Sequence, residues 1–474
     1  ATTPLFVGSG GASLITDALA VRDHNGLPMI PGTSLSGVLR HTFFFKLENK
    51  NQKEYTEEDW NNYFDYGNLW GCQIENKQQE KEFKKWYEIK KGQDAKVPDG
   101  LGSRLIISSA YLVLNDGKIA EGIDTEISPE ILSKFQKLPT RQHVRITHKG
   151  VAADKGLFDN EVVYAGARFI FEIELKGTKT DEDSWKQIIK EIKSPSFRIG
   201  QGTRDGYGNL KVIGLYEKTY NLVDENDFEA YLSFNPSLNS IKIERLEEGE
   251  NNNTADYTLN LTPDDFFIFS EGFGDADVDN KPVTEEVIEY KNNKIDFVEK
   301  TLIPASSIKG TIAHRTAFHY NKLNKFYADT INENLKNYVE ENNQAVKTLF
   351  GEKAQVINGN LLGERGIVIL DDLYYADIDN SKIFNHVAID RFTGGGIDGA
   401  LFSEKVSYKK DKKITLTINL SKTLEDTDII KALEEALKDI CRGLLPLGGM
   451  TTKGFGMFTG KLLRKGAEIF NYNN

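Results

Sequence analysis

The sequence predicts an α+β protein built from two tandem ferredoxin-like (RRM-like) units with long insertions. Three observations carry this. Ile30-Pro31-Gly32-Thr33-Ser34-Leu35-Ser36-Gly37 is nearly repeated as Ile303-Pro304-Ala305-Ser306-Ser307-Ile308-Lys309-Gly310, with His41 and His314 at matching places beyond. Five further matches follow in the same order. Strand-like and helix-like segments then alternate as β-α-β-β-α-β in each half. Ordered internal repetition sets the architecture before any residue is given a role.

The further matches are Leu69-Trp70-Gly71 with Leu349-Phe350-Gly351, Gly102-Ser103-Arg104 with Gly363-Glu364-Arg365, and His143-Val144-Arg145-Ile146 with His386-Val387-Ala388-Ile389. Leu157-Phe158 then answers Leu401-Phe402, and the glycine-rich Gly200–Gly208 answers Gly448–Gly456. The first unit runs over 1–220, a join over 221–256 with 247–253 its loosest part, and the second unit over 257–474. Tyr257 to Leu261 reads as an opening strand of the second unit. The first unit shows no counterpart, since Pro4-Leu5-Phe6-Val7 leads directly into its first loop.

Leu35 to Leu47 and Ile308 to Leu323 read as helices, their starts marked by the hydroxyls of Thr33/Ser34 and Ser306/Ser307. Leu105 to Val113 and Gly366 to Leu373 read as strands. Phe169 to Leu175 and Ile414 to Leu420 alternate at period two, as strands do. Ser184 to Ile192 and Asp428 to Cys441 read as second helices. Asn209 to Leu215 and Met457 to Leu463 close the units. The first unit is longer by two insertions, a charged helical piece over 75–87 and a short helix over 129–135; such additions sit in surface loops.

Hydrophobic content of 39% with 11% aromatics excludes a disordered chain. No apolar run approaches the ~20 residues that span a bilayer. The start is not a signal peptide, and the two cysteines, Cys72 and Cys441, fall in different units without metal-type spacing; a cytoplasmic protein is expected. The net charge of −12 argues against indiscriminate nucleic-acid binding but not against a local basic track. Acidic runs such as 54–59 read as solvated surface.

Four segments carry candidate chemistry. Helix starts at Thr33/Ser34 and Ser306/Ser307 present N–H groups suited to a phosphate; Gly37 and Gly310 admit a close backbone, and Arg40, Lys309 and Arg315 stand in the early turns. The glycine loops, through Gly202, Gly206, Gly449 and Gly454, offer amides to an anion, with Arg204 and Lys453 at their tips. They lack the Gly-Lys-Ser/Thr of a Walker loop and the strand–loop–helix context of a dinucleotide fold. The segments from His143 and His386 read as long hairpins whose tips wedge into a ligand; such histidines are more often structural than catalytic. Finally, the Gly8–Thr16 loop delivers Asp17 and then Asp23 near a phosphate-binding helix start. A carboxylate there is unfavourable unless it does chemistry or holds a cation, although loop aspartates commonly serve as turn formers.

In this order of motifs the chain resembles the RAMP superfamily, specifically the backbone subunits of type III CRISPR effector complexes. With the pattern present twice, it is similar to two fused backbone subunits, as in type III-D systems. The resemblance implies assembly along a guide crRNA with other type III effector subunits. The hairpin would act as a thumb interrupting the guide–target duplex. Target RNA would be cut beside each flipped nucleotide by a loop aspartate with a divalent metal, Mg2+ or Mn2+. In the family that aspartate is followed six residues later by another and then by Ile-Pro-Gly; Asp17, Asp23 and Ile30 fit. The resemblance thus implies catalysis at Asp17, helping to activate the RNA 2′-hydroxyl or hold the metal. It also turns the anion candidates above, with His41, His143, Arg145, His314 and His386, into expected RNA contacts.

The second copy departs from the pattern. Aligning Val287-Ile288 on the family's following strand puts Thr284 in the aspartate's place, with Asp277, Asp279, Glu285 or Glu286 as substitutes. Three other readings stand beside this one: a non-catalytic RNA scaffold, a guide-processing ribonuclease using His41 or His143, and a phosphometabolite enzyme with duplicated anion sites.

Overall fold

The structure, a computed structural model, describes residues 1–473 apart from 15, 49–51, 94, 124–126, 242, 247–254, 273, 332–333, 353–354, 358–359, 376–380 and 409–412. The loosest part of the expected join and Phe273 of the second loop therefore lie outside the described residues. The chain mixes helix and sheet throughout, as an α+β protein does.

The second unit is organised by a five-stranded antiparallel sheet in the order Val368–Leu370, Ile414–Leu420, Tyr257–Pro263, Phe458–Arg464, Ala467–Asn471. Alternation places Tyr257, Leu259 and Leu261 on one face, buried opposite Leu416, Ile418 and Leu462. Helices Ala305–Leu323 and Thr427–Cys441 lie against each other and complete this core with Ile308, Ile312, Leu433 and Leu437. Helix 427–441 repeats apolar residues at the 3.6-residue period, and Asp426 caps it by accepting from the Asp428 and Ile429 N–H groups.

The first unit carries shorter ladders. Leu105–Ile107 pairs with Ile173–Leu175, and Tyr111–Leu112 with Phe169–Ile170. The expected single strands over 105–113 and 169–175 are thus each broken in two. The physical cause is Ala110, which leaves the ladder to exchange both backbone hydrogen bonds with Ile30 at 3.1 and 2.8 Å. The strand expected over 366–373 is likewise split, into Val368–Leu370 and Leu373–Tyr375, at the acidic pair Asp371-Asp372. The closing strand over 209–215 shrinks to Gly214–Leu215, because Asn209 bridges Arg198 instead.

The helix starts also differ from expectation. The helices run Gly32–Glu48 and Ala305–Leu323, so Thr33, Ser34, Ser306 and Ser307 occupy the first turn rather than the cap. The capping acceptors come from elsewhere: Ser109 Oγ takes the Gly32 N–H at 3.2 Å, and Asp372 Oδ1 takes the Ala305 N–H at 2.8 Å. A proline preceding each helix sets its entry.

The two glycine loops are one device used twice. Gln201 and Gly449 donate to the Phe6 and Ile268 carbonyls, while Gly208 and Gly456 donate to those of Pro4 and Phe266. A Cβ on Gly200 or Gly448 would sit 2.3 Å from the same Phe6 or Ile268 carbonyl oxygen, so only glycine permits the approach.

The first insertion forms its own small core. Helices Glu57–Trp70 and Lys77–Lys91 enclose Trp60, Phe64, Phe83 and Trp86. The acidic run at 54–59 is therefore not only solvated surface, since Thr56 and Asp59 form a capping box that starts the first of these helices. Arg104 closes the adjoining segment with a two-pronged bond to Asp181, both N–O distances 2.8 Å. That bond holds the Asp181 carboxyl down at about 2, below its ordinary ~3.9. A depressed folded pKa gives stability present above the unfolded value and lost as pH falls through the folded one. Asp181→Asn is accordingly expected to lower the denaturant midpoint at pH 6, with the deficit narrowing by pH 3. An equal deficit at both pH values would refute the assignment.

The units interlock. The second unit's hairpin, Thr284–Lys291 paired with Lys294–Ile303, reaches into the first unit's core. Ile288 is buried there and Phe297 packs edge-on against Phe135 and Tyr164. The Ile288 N–H bonds the Ala165 carbonyl at 2.7 Å and the Tyr290 hydroxyl bonds that of Val113 at 2.8 Å.

Candidate nucleic-acid interface

Each unit projects a long hairpin: Thr140–Ile146 with Ala152–Glu161, and Ser381–Ile389 with Gly396–Tyr408. Both break register at the same step, after Val144 and after Val387. Both carry bare apolar residues, Val144, Ile146, Val151 and Leu157 on one, Val387, Ile389, Phe392 and Leu401 on the other. Apolar side chains held out in this way mark a contact surface.

At the hairpin root the two strand faces do different things, because successive side chains alternate. One face carries a ring stack. His143 lies over Phe158 at 4.9 Å and 14°, and His386 over Phe402 at 4.8 Å and 21°. In the first unit the Tyr207 hydroxyl meets His143 Nε2 at 2.7 Å, with the Arg141 guanidinium over the Tyr207 ring. Burial first, and Arg141 second, push the His143 pKa down, favouring the neutral ring. In the second unit Phe455 replaces Tyr207, and Glu404 stands where Asn160 does. Glu404 is fully buried, 3.6 Å from His386 Nε2 and 3.2 Å from Lys453 Nζ.

The opposite face meets the loop aspartate. The Asp17 N–H donates to Asp159 Oδ1 at 2.7 Å, and the Asp159 N–H returns the bond to Asp17 Oδ2 at 3.1 Å. In the second unit the same reciprocal bond joins Asp279 to Ser403: the Asp279 N–H reaches Ser403 Oγ at 3.2 Å, and the Ser403 N–H reaches Asp279 Oδ2 at 2.7 Å. Asp159 and Ser403 each follow the phenylalanine of the ring stack, so Asp279 is the positional counterpart of Asp17. The loops agree upstream too, since Ser9 Oγ accepts from Gly11 N and Ser270 Oγ from Gly272 N.

The other second-unit carboxylates lie elsewhere. Asp277 is exposed on the loop, with its N–H on Asp275. Thr284 binds Glu299, and Glu286 binds Lys134 of the first unit. Glu285 is committed to a nearly buried cluster between the units: Arg141 grips both its oxygens at 2.6 Å, reaches Asp372 at 2.6 Å, and touches the Tyr374 hydroxyl. Glu285 thus joins the halves rather than facing a groove.

Among the remaining candidates, Thr33, Gly37, Arg40 and His41, with Ser307 and Gly310, line exposed stretches of the paired helices, while Ser34, Ser306, His314 and Arg315 are half-buried. A Cβ on Gly37 or Gly310 would meet nothing within 4 Å, so each helix leaves open space at the same place in its unit. Arg315 binds Asp439 at 2.6 Å, and Lys309 binds Asp205 at 3.0 Å. Arg145 and His148 of the first hairpin lean on Glu340 and Glu341 of the second unit. The loop amides at Gln201, Gly208, Gly449 and Gly456 are taken by the fastening bonds described above, whereas Gly454 borders open space. Gly206 is buried against Asp372, and the half-buried Gly202 lies against the Tyr207 ring.

Sequence reasoning passed over Asp159, Ser403, Glu404, Arg141, Arg198 and Arg365 as site residues. The signal for the first two was present: each stands directly after the repeated Leu-Phe pair. Arg141 offered none, since its partners lie 144 and 231 residues away.

Among the described residues no group of three or more His, Cys, Asp or Glu side chains is arranged to hold a metal ion, and no helix is long and apolar enough to cross a membrane. No curated protein matches the chain. A family model described as the RAMP superfamily matches residues 1–211 and 274–459, which takes in both hairpins, both loop aspartates and both glycine loops. That family carries a CRISPR-associated RNA-binding role. With so much of its length matched, the chain belongs to the RAMP superfamily.

Proposed function

We propose that the chain is a fused backbone subunit of a type III CRISPR effector, of the III-D kind, that binds guide crRNA and cuts complementary target RNA at two places. The observation that carries this is the repeated lock between a loop aspartate and the root of an apolar hairpin, Asp17 with Asp159 and Asp279 with Ser403. Each hairpin would displace one base pair and leave its phosphodiester beside the aspartate. The strand order of the second unit, with helices following its first and third core strands, supports a ferredoxin-like body for that half.

In this reading Asp17 acts on the target strand. Its carboxylate takes the proton of the ribose 2′-hydroxyl; the 2′-oxygen attacks the adjacent phosphorus and the 5′-oxygen departs with a proton from solvent. Asp159 fixes the Asp17 backbone and, through its own N–H, the orientation of the Asp17 carboxylate. The two carboxylates, each bonded to the other residue's backbone N–H, would suit a divalent ion that completes its shell with RNA oxygens and water, as Mg2+ does when held by one or two carboxylates. Asp17 and Asp159 would hold that ion, which when bound would neutralise charge gathering on the phosphate.

The test is cleavage by the assembled complex with its guide. Asp17→Ala is expected to slow one cut by at least ~100-fold, the scale of one general base, while target affinity is unchanged. Persistence of that product would remove the assignment, and loss of neither product on Asp17→Ala and Asp279→Ala together would favour a pure scaffold.

A further inference from the structure

Three arginines meet where the units join, and Asp371 binds one of them, Arg198. Arg198 is 3% exposed and places both terminal nitrogens on Asp371. Asp371 also accepts from Asn209 at 2.9 Å, and the buried Arg198 Nε has no hydrogen-bond partner. Arg204, at the tip of the first glycine loop, donates Nε–H to the Gly366 carbonyl at 2.8 Å. Arg365, beside that glycine, donates back to the Thr203 hydroxyl. The clasp therefore brings Arg204 and Arg365 together across the junction, with Arg198 behind them.

Three guanidinium groups against one carboxylate leave a local charge of +2 (3 − 1) on a chain whose net charge is −12. The nearby Asp205 is engaged by Lys309. Burial and the other two arginines push the Arg204 pKa down to about 9, and burial with Arg198 lowers that of Arg365. Like charges crowded together in this way disfavour one another, and an anion bound among them would relieve that cost. The repeat supplies an internal control. Arg104, the counterpart of Arg365 in the first unit, has its own carboxylate, Asp181. Arg365 lies at the surface, so the cluster is open to a ligand on that side.

We propose that Arg204 and Arg365, backed by Arg198, form a shared site for one phosphate of a single RNA strand passing from the first unit to the second. This rests on the guide-strand reading above. Two planar guanidinium groups from different units suit a phosphodiester, whose two free oxygens accept paired N–H bonds. The site also makes strand binding sensitive to the junction itself, since neither unit holds both arginines.

The experiment measures affinity of the full chain for a labelled single-stranded RNA across a salt series. Arg365→Gln is expected to weaken binding about tenfold and to flatten the plot of log affinity against log salt by about 0.7, the share of one phosphate contact on a single strand. Arg365→Lys keeps the charge and is expected to keep the slope, which separates loss of the contact from misfolding. Arg104→Gln is expected to leave affinity unchanged. Unaltered affinity and slope in Arg365→Gln would overturn the site. So would heat stabilisation by inorganic phosphate that disappears in Arg365→Gln while RNA affinity holds, because the site would then serve a free anion. If the unsubstituted chain does not bind the probe at all, the proposed function falls first.

Discussion

Replacing Arg141 by alanine is expected to cost about 3–5 kcal/mol, because it leaves the buried Asp372 and the nearly buried Glu285 without their cation. Arg141 is 9% exposed and the Asp372 side chain fully buried. Burial pushes the Asp372 carboxyl up to about 6 even with Arg141 in place. A raised folded pKa means a stability share that is complete below the unfolded value and lost as pH climbs through the folded one. Without Arg141 the carboxyl is raised further. The variant's deficit is therefore expected to be greater at pH 7 than at pH 5, where a neutral Asp372 needs no cation. Because the cluster ties the first hairpin to the second unit, the parent is expected to unfold in one denaturant transition and the variant in two. A deficit under 1 kcal/mol, equal at both pH values, would show that the cluster does not hold the units together.

The second large effect concerns the second cut. Asp279→Ala is expected to slow that cut by ~100- to 10,000-fold, the range of a lost general base, and to spare the first. Asp277→Ala and Glu286→Gln are expected to leave both cuts within a few-fold of the parent. The argument is positional. Asp279 alone repeats the reciprocal bond that Asp17 makes to its hairpin. Where the first unit offers a second carboxylate, Asp159, the second offers the Ser403 hydroxyl, so the second cut should also need more divalent ion to reach its full rate. The decisive measurement is product analysis by gel over a Mg2+ series. Equal loss from Asp277→Ala, or a second cut untouched by Asp279→Ala, would contradict it.

Much of this was legible in the sequence, for reasons that can be named. The glycine loops stood out because positive backbone angles and close carbonyl approaches restrict those positions to glycine. The paired helices and the sheet strand 414–420 stood out because periodicity survives wherever one face is buried. Asp17 was singled out by the family's spacing to Ile30, and the structure places it against Asp159 at the hairpin root. Asp279 was one of four substitutes left open beside the Thr284 position, because counting back from Val287-Ile288 assumes loops of equal length, whereas the second loop reaches its hairpin earlier in the chain. The role of Glu285 was hidden because a carboxylate's meaning depends on Arg141, far away in sequence. The helix starts were misread for a similar reason: hydroxyls in the first turn imitate a cap, while the true acceptors, Ser109 and Asp372, arrive from other strands. Local signals give element type, and the pairing between distant segments gives the site.

The hairpin at 284–303 has a consequence for how the protein is made. Ile288 finishes a core whose other buried members lie between Leu5 and Ile199, and Phe297 packs against it. During synthesis the leading half waits on the ribosome with an open apolar slot until its trailing half emerges to plug it. Covalent fusion thereby guarantees the plug in one-to-one supply, and a gene split at the join would release a half-protein prone to aggregate before its mate arrived.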